Sequence, residues 1–264
     1  MSTTPAISEP ILLPFEDKNL REPYREYFTT KRKNYQAVVR DVPELWDCFL
    51  RLDEIWARDL DQMQIVTEKE RPLLIAMFGR SHAQFRIAFE LGFSTAIGEA
   101  WNVMRSAIDT AVVAHKIYRE PNLMPVWLRK DDGKAERRAY KQAFEENKKE
   151  SLFPAKHGLA ELHKFYRDYS EWGTRASFGA AAMRLTIQPI PNGQHWNRTY
   201  LEIDPKRVAA FLYQMLEASG LVEAACFNCF ENRLRLDSDL VDMRRNFAKC
   251  QAETATVINQ ILNA

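Results

Sequence analysis

Apolar residues recur along most of this chain at intervals of three and four, the period that turns one face of an α-helix toward a core. The clearest case runs from Ser94 to Arg119. At about 100° per residue, Ile97, Trp101, Met104, Ile108, Ala111 and Tyr118 fall on one arc. Gly98, Ala100, Ala107, Ala111 and Ala114 offer small surfaces where neighbouring helices can approach closely. Glu99, Asn102, Arg105, Ser106, Asp109, Thr110 and Lys116 sit toward the other side, whereas His115 projects into the middle of the arc. The pattern predicts a long, mostly buried central helix over about 94–119.

The flanking segments read the same way. Asp41 followed by Pro43 predicts an N-cap and first turn. The helix it opens carries Leu45, Phe49, Leu52, Ile55, Trp56 and Met63 at helical spacing. Thr67-x-x-Glu70 reads as a capping box, with regular helix from near Arg71 to Gly92. Only a very short break then precedes the central helix, so the two should lie antiparallel or strongly angled. A proline-bounded turn at 120–125 leads to a charged surface helix over about 134–150. After Pro154, Leu159, Leu162, Tyr166, Tyr169 and Trp172 mark an inner helical face, and Ala176 to Met183 suits a further short helix.

Between 183 and 203 the period changes to alternation, with Leu185, Ile187, Leu201 and Ile203 between polar residues. Asn192-Gly193 is a favoured short-turn dipeptide, and Pro189 and Pro191 exclude a central strand. A small hairpin or extended arm is expected there, leaning on the helices or on a partner. Asp204-Pro205 then caps a helix reaching Cys229, and a last helix spans about 237–262. The expectation is a mainly α fold: a multi-helix bundle around the central helix, with one small β-hairpin near 183–203. An N-terminal arm, partly mobile, is expected over 1–33 and a single helical domain over 34–264.

Composition narrows the function classes. A net charge of +1 argues against a protein dominated by attraction to nucleic acid or anionic lipid. No apolar run reaches the roughly 18 residues that span a bilayer, and the first residues lack a basic segment followed by an apolar one. Four cysteines in 264 residues are too few for a disulfide scaffold. A cytoplasmic protein with no membrane contact is expected.

The candidate chemistry is sparse. Cys226-x-x-Cys229 has a chelating or redox spacing, but it lies within a helical pattern and has no second pair, so it reads as core. No Glu stands three residues before a histidine, which removes a di-iron bundle; no metal site and no cofactor are expected. Phosphate-loop, dinucleotide, zincin and Gly-x-Ser-x-Gly signatures are missing as well. Lys31, Arg32 and Lys33 lie among interleaved tyrosines, either as an RNA contact strip or as the solvated face of an amphipathic segment. Arg105 and Asp109, four residues apart, suit a shielded structural ion pair. His163, Tyr166 and Ser170 share a helical face. If that helix packs on the central one, Arg105, His115, His163, Tyr166 and Ser170 could form one polar pocket able to bind phosphate and move protons in RNA cleavage.

Arg105-Ser-Ala-Ile-Asp109-Thr-Ala resembles the Arg-Ser-x-x-acid pattern of a group of bacterial helical proteins. Tyr166-x-x-x-Ser170-Glu171-Trp172-Gly173, approached by Phe153-Pro-x-x-x-Gly-Leu159, is similar to their second block. The likeness covers roughly residues 90–180 and points to the HEPN-like superfamily, which includes toxin and phage-defence ribonucleases as well as inactive members. Active members carry Arg followed four to six residues later by His. Here Arg105 is followed by His115, and Arg175 stands where a second histidine would be sought. The resemblance therefore implies an inactive or differently functioning relative: a binding or assembly module, accessory to a bacterial defence or toxin-type system. Two alternatives stay open, a metal-independent ribonuclease using the polar pocket and a homo-oligomeric structural protein. A protein partner or self-association is expected, with RNA as the alternative partner.

Overall fold

The computed structural model describes residues 21–63, 71–174, 185–230 and 238–264. The expected arm up to residue 20, the capping box at 67–70 and the short helix at 176–183 lie outside the described residues. What remains is mainly α, a bundle built on one central helix with a single two-stranded hairpin. Among the described residues no helix is long and apolar enough to cross a membrane.

Helix α1 (Glu22–Asp41) runs without a break through Lys31, Arg32 and Lys33. It ends where α2 (Pro43–Gln62) begins, with Val42 between them at φ −136°. Asp41 is thus the last residue of α1, its carboxylate bound by Arg40, and not the N-cap the sequence suggested. The reason is local: proline disfavours helical backbone at the residue before it, so the chain breaks at Val42 rather than at Asp41. α3 (Arg71–Phe93) and α4 (Ile97–Arg119) make the most extensive helix pair, folded back on each other across residues 94–96. At that corner Thr95 takes a left-handed conformation, φ 62°. Its hydroxyl accepts from Asn34 Nδ2 at 2.8 Å, and its carbonyl accepts from Glu202 N at 2.8 Å.

The central helix is α4, as its periodicity predicts. Ala100, Met104, Ala107, Ile108, Ala111 and Ala114 are fully or almost fully buried. Beyond it come α5 (Met124–Leu128), α6 (Lys134–Tyr140), α7 (Lys148–Leu152) and α8 (Ala160–Tyr169). The single charged helix expected over 134–150 is therefore broken. A π-type turn occupies Lys141–Glu145 and Asn147 is left-handed at φ 48°. Phe144 and Leu152 are both buried amid exposed charged neighbours, and the break lets each reach the core.

Strands β1 (Leu185–Ile190) and β2 (Gly193–Arg198) pair antiparallel, with Ile187 opposite Trp196 and Ile190 opposite Gly193. The two turn residues are Pro191 and Asn192, one position earlier than the Asn192-Gly193 turn expected. Proline's fixed negative φ suits the second position of a type I or II turn, and Gly193 (φ 154°) follows it at the head of β2. Helix α9 (Pro205–Phe230) starts as predicted, Lys206 N donating to Asp204 Oδ1 at 3.0 Å. Helix α10 (Ser238–Asn263) packs along α2, where Thr254 Oγ1 donates to the Glu44 carbonyl at 3.3 Å.

Candidate functional site

The polar pocket forms in part. α4 carries Arg105 and Asp109 on the flank that meets α7 and α8, and the apolar faces of those elements fix the approach. Arg105 Nε donates to Ser170 Oγ at 2.9 Å and Nη2 to the Tyr166 hydroxyl at 3.0 Å. Ser170 Oγ in turn donates to the Tyr166 carbonyl at 2.6 Å. Three of the five residues expected in one pocket therefore meet: Arg105, Tyr166 and Ser170.

The partner of Arg105 is not Asp109. Asp109 is held by Lys148, whose ammonium lies 2.8 Å from Oδ1 and donates to the Tyr166 hydroxyl at 2.7 Å. The expected Arg105–Asp109 ion pair is absent among the described residues, and the carboxylate serves instead to tie α7 to α4. Burial works against the Lys148 charge, yet Asp109, as counter-charge and acceptor, holds its pKa above the ordinary lysine value. The phenol oxygen of Tyr166 is thus the joint at which a guanidinium from α4 and an ammonium from α7 meet. Both cations also lie against its ring, Lys148 Nζ 4.4 Å and Arg105 Cζ 5.2 Å from the centroid.

Neither histidine joins this group. His163 packs its ring on Phe153, 5.1 Å between centroids, and Phe153 in turn lies against Tyr166 at 5.3 Å. Burial, with Lys149 and Arg167 nearby, keeps the His163 pKa below the ordinary value. His115 is buried further along α4, its ring 5.5 Å from that of His157. Burial, with the charges of Arg119 and His157, pushes its pKa down to about 4, and Nδ1 has no hydrogen-bond partner among the described residues. It is a neutral core histidine. Lys31, Arg32 and Lys33 sit on α1, and no hydrogen bond or ion pair joins them to the Arg105 group.

Cys226 and Cys229 are free, buried thiols with pKa values pushed up by burial, that of Cys229 to about 12. Among the described residues no group of three or more His, Cys, Asp or Glu side chains is placed to hold a metal ion. Compared with family models, with curated proteins and with solved structures, the chain matches none.

Two clusters were not foreseen. Asp59 on α2 and Glu223 on α9, both nearly sealed from water, converge on Arg244 of α10. Arg244 grips Glu223 through both terminal nitrogens, reaches Asp59 Oδ2 at 2.7 Å and lies over the Phe227 ring at 4.0 Å. Burial, then the hydrogen bond to Asp59, pushes the Glu223 pKa up to about 8. A faint signal existed: Asp59 stands between Trp56 and Met63, and Glu223 beside Val222 and Cys226, each an acid on an apolar face. Near the start of α1 is the second cluster, a cleft of about 710 Å³ whose walls include Tyr24, Tyr27 and Tyr200. Its parts come from three distant segments, and no periodicity could have joined them.

Proposed function

We propose that this chain is a helical binding module that associates with a second copy of itself through the β1–β2 hairpin. The observation that carries the reading is the hairpin's exposed apolar face. Alternation along paired strands places Leu185, Ile187, Pro189, Gln194 and Trp196 on one side, where Leu185 is 37%, Ile187 48% and Trp196 56% exposed. A two-stranded hairpin is marginal alone; a further pair of strands or a covering layer is what stabilises it. A two-fold dimer needs a surface complementary to itself; the positions 187, 189, 194 and 196 of this face are uncharged, and Arg198 takes the position opposite Leu185 at its end. Opposing two such faces covers Trp196 and Ile187 of both chains at once.

The test is size-exclusion chromatography with light scattering over a range of concentrations. Wild type should shift from monomer to dimer, and Ile187→Glu with Trp196→Glu should stay monomeric with an unchanged thermal midpoint, since both sites are exposed. A monomer at every concentration, or a dimer that survives both substitutions, would refute the reading.

One observation supports the ribonuclease alternative, the meeting of Arg105, Tyr166 and Ser170. Against it, Arg105 and Lys148 are both engaged by protein acceptors, and no imidazole stands in the group to take a proton. The association with bacterial defence rests on the resemblance of the 90–180 stretch alone. Cleavage of a labelled RNA by wild type but not by Arg105→Ala would reverse the order of the two readings.

A further inference from the structure

Helices α2 and α10 pack side by side and bring together two cysteines that lie about 200 residues apart in sequence. Cys250 Sγ sits over the start of α2, 3.9 Å from the Glu44 carbonyl oxygen and 3.7 Å from Asp47 Oδ2. One turn further along α10, Thr254 Oγ1 reaches the same carbonyl. A helical side chain leans toward the N-terminus of its own helix, so the Cys48 thiol also covers the turn that begins at Glu44. The two thiols interact directly there, and both are reduced. Their surroundings differ. Cys48 is sealed from solvent, whereas Cys250 is 8% exposed, more than any other cysteine of the chain. Asp47 and Arg51 stand beside Cys250 as a partly exposed ion pair, 2.8 Å between Nε and Oδ2. The Arg51 guanidinium also interacts with the Cys250 sulfur.

We propose that Cys250 and Cys48 are a peroxide-sensitive pair whose disulfide locks the last helix onto α2. Cys250 takes the attacking role, because it is the reachable thiol and its thiolate faces the Arg51 cation. That thiolate attacks one oxygen of hydrogen peroxide; the O–O bond breaks, and hydroxide leaves with the proton that the thiol released, as water. Cys250 is thereby oxidised to a sulfenic acid. Burial, then Cys250 itself, raises the Cys48 thiol above its ordinary value, which suits it to react second. Its sulfur attacks the Cys250 sulfur, the S–O bond breaks, and the departing hydroxyl takes the Cys48 proton as a second water. Two thiols and one peroxide give one disulfide and two waters. Two thiols in contact reach bonding distance by side-chain rotation and a small shift of the helices. The link closes a loop of about 200 residues, so it restricts the unfolded chain and holds α10 over α2. Neither cysteine lies in β1 or β2, so the inference stands apart from the dimer proposal.

The test treats the whole folded protein with a small excess of hydrogen peroxide, blocks remaining thiols with an alkylating agent after denaturation, and reads intact mass and a peptide map. The oxidised chain should carry two alkyl groups rather than four, with the Cys48 peptide joined to the Cys250 peptide and Cys226 and Cys229 alkylated. Cys250→Ser, a nearly isosteric change, should leave three alkylated thiols and no link. Cys48→Ala should instead accumulate a Cys250 sulfenic acid that dimedone traps; if that core variant misfolds, Cys250→Ser suffices. Oxidised wild type should melt about 3 °C or more above the reduced protein and return to the lower midpoint with dithiothreitol. Four alkylated thiols after peroxide, a Cys226–Cys229 link, a link between two chains, or an oxidised protein that melts no higher than the reduced one would overturn the inference.

Discussion

Replacing Glu223 with Gln tests whether the buried carboxyl pair holds a proton. Asp59 and Glu223 share Arg244, and the Glu223 pKa is pushed up to about 8 where an ordinary glutamate has 4.5. Asp59 is raised as well, by burial. Between those two values the folded protein keeps a proton that the unfolded chain has released. The stability from this group is therefore full below about pH 4.5 and is lost as pH rises through about 8. One proton sets the ceiling on the slope, about 1.4 kcal/mol per pH unit. Glutamine has nearly the same shape and does not titrate, and the one acceptor it withdraws from Arg244 is a cost that does not vary with pH. Across about pH 5 to 8, the unfolding free energy of Glu223→Gln minus that of wild type should rise by about 2–4 kcal/mol. Urea denaturation at intervals through this range measures it. The difference is the right quantity because His115, with its pKa lowered to about 4, adds stability as pH rises through about 4 to 6.5 in both proteins alike. Parallel curves would refute the reasoning and mean that both carboxylates are ionised against Arg244.

Two further substitutions probe the packing of α4. Tyr166→Phe removes the oxygen that receives both Arg105 and Lys148, and should lower stability by about 1–3 kcal/mol in urea denaturation; no change would mean that the joint contributes nothing. Gly173→Ala would set a methyl 2.9 Å from Trp101 Cβ and 3.1 Å from the Asn102 nitrogen, neither a yielding side-chain tip. It should cost about 1–3 kcal/mol, whereas Gly79→Ala, with nothing within 4 Å of the added carbon, should match or exceed wild type in thermal midpoint.

The helical architecture was legible because burial imposes a period, and α4 declared itself by the length of its apolar arc. Element ends were less so: Asp41 and Asn192 both carry the right turn chemistry, but the neighbouring prolines moved each break by one residue. At the polar site, helical spacing correctly grouped Tyr166 with Ser170, since both lie on one continuous α8 and its π-type extension. Spacing could not reveal Lys148. Its segment reads as charged surface, and only the break at Asn147 turns it inward to Asp109. His163 shows the converse: a shared face in projection is a span of directions, and its ring packs on Phe153 rather than joining the group.

The packing of α10 along α2 has a consequence for how the molecule is made. Arg244 and Asp59 are 185 residues apart in sequence, and Thr254 and Glu44 are 210. The α3–α4 corner, by contrast, joins neighbours and can close early. During synthesis the apolar side of α2, with Leu45, Cys48 and Leu52, has to wait for nearly the whole remainder of the chain before its cover emerges. Loop-closure entropy grows only slowly with length, so the delay weighs on the folding rate more than on final stability. A ribosome-bound chain lacking α10 would carry that face open, a natural substrate for a chaperone.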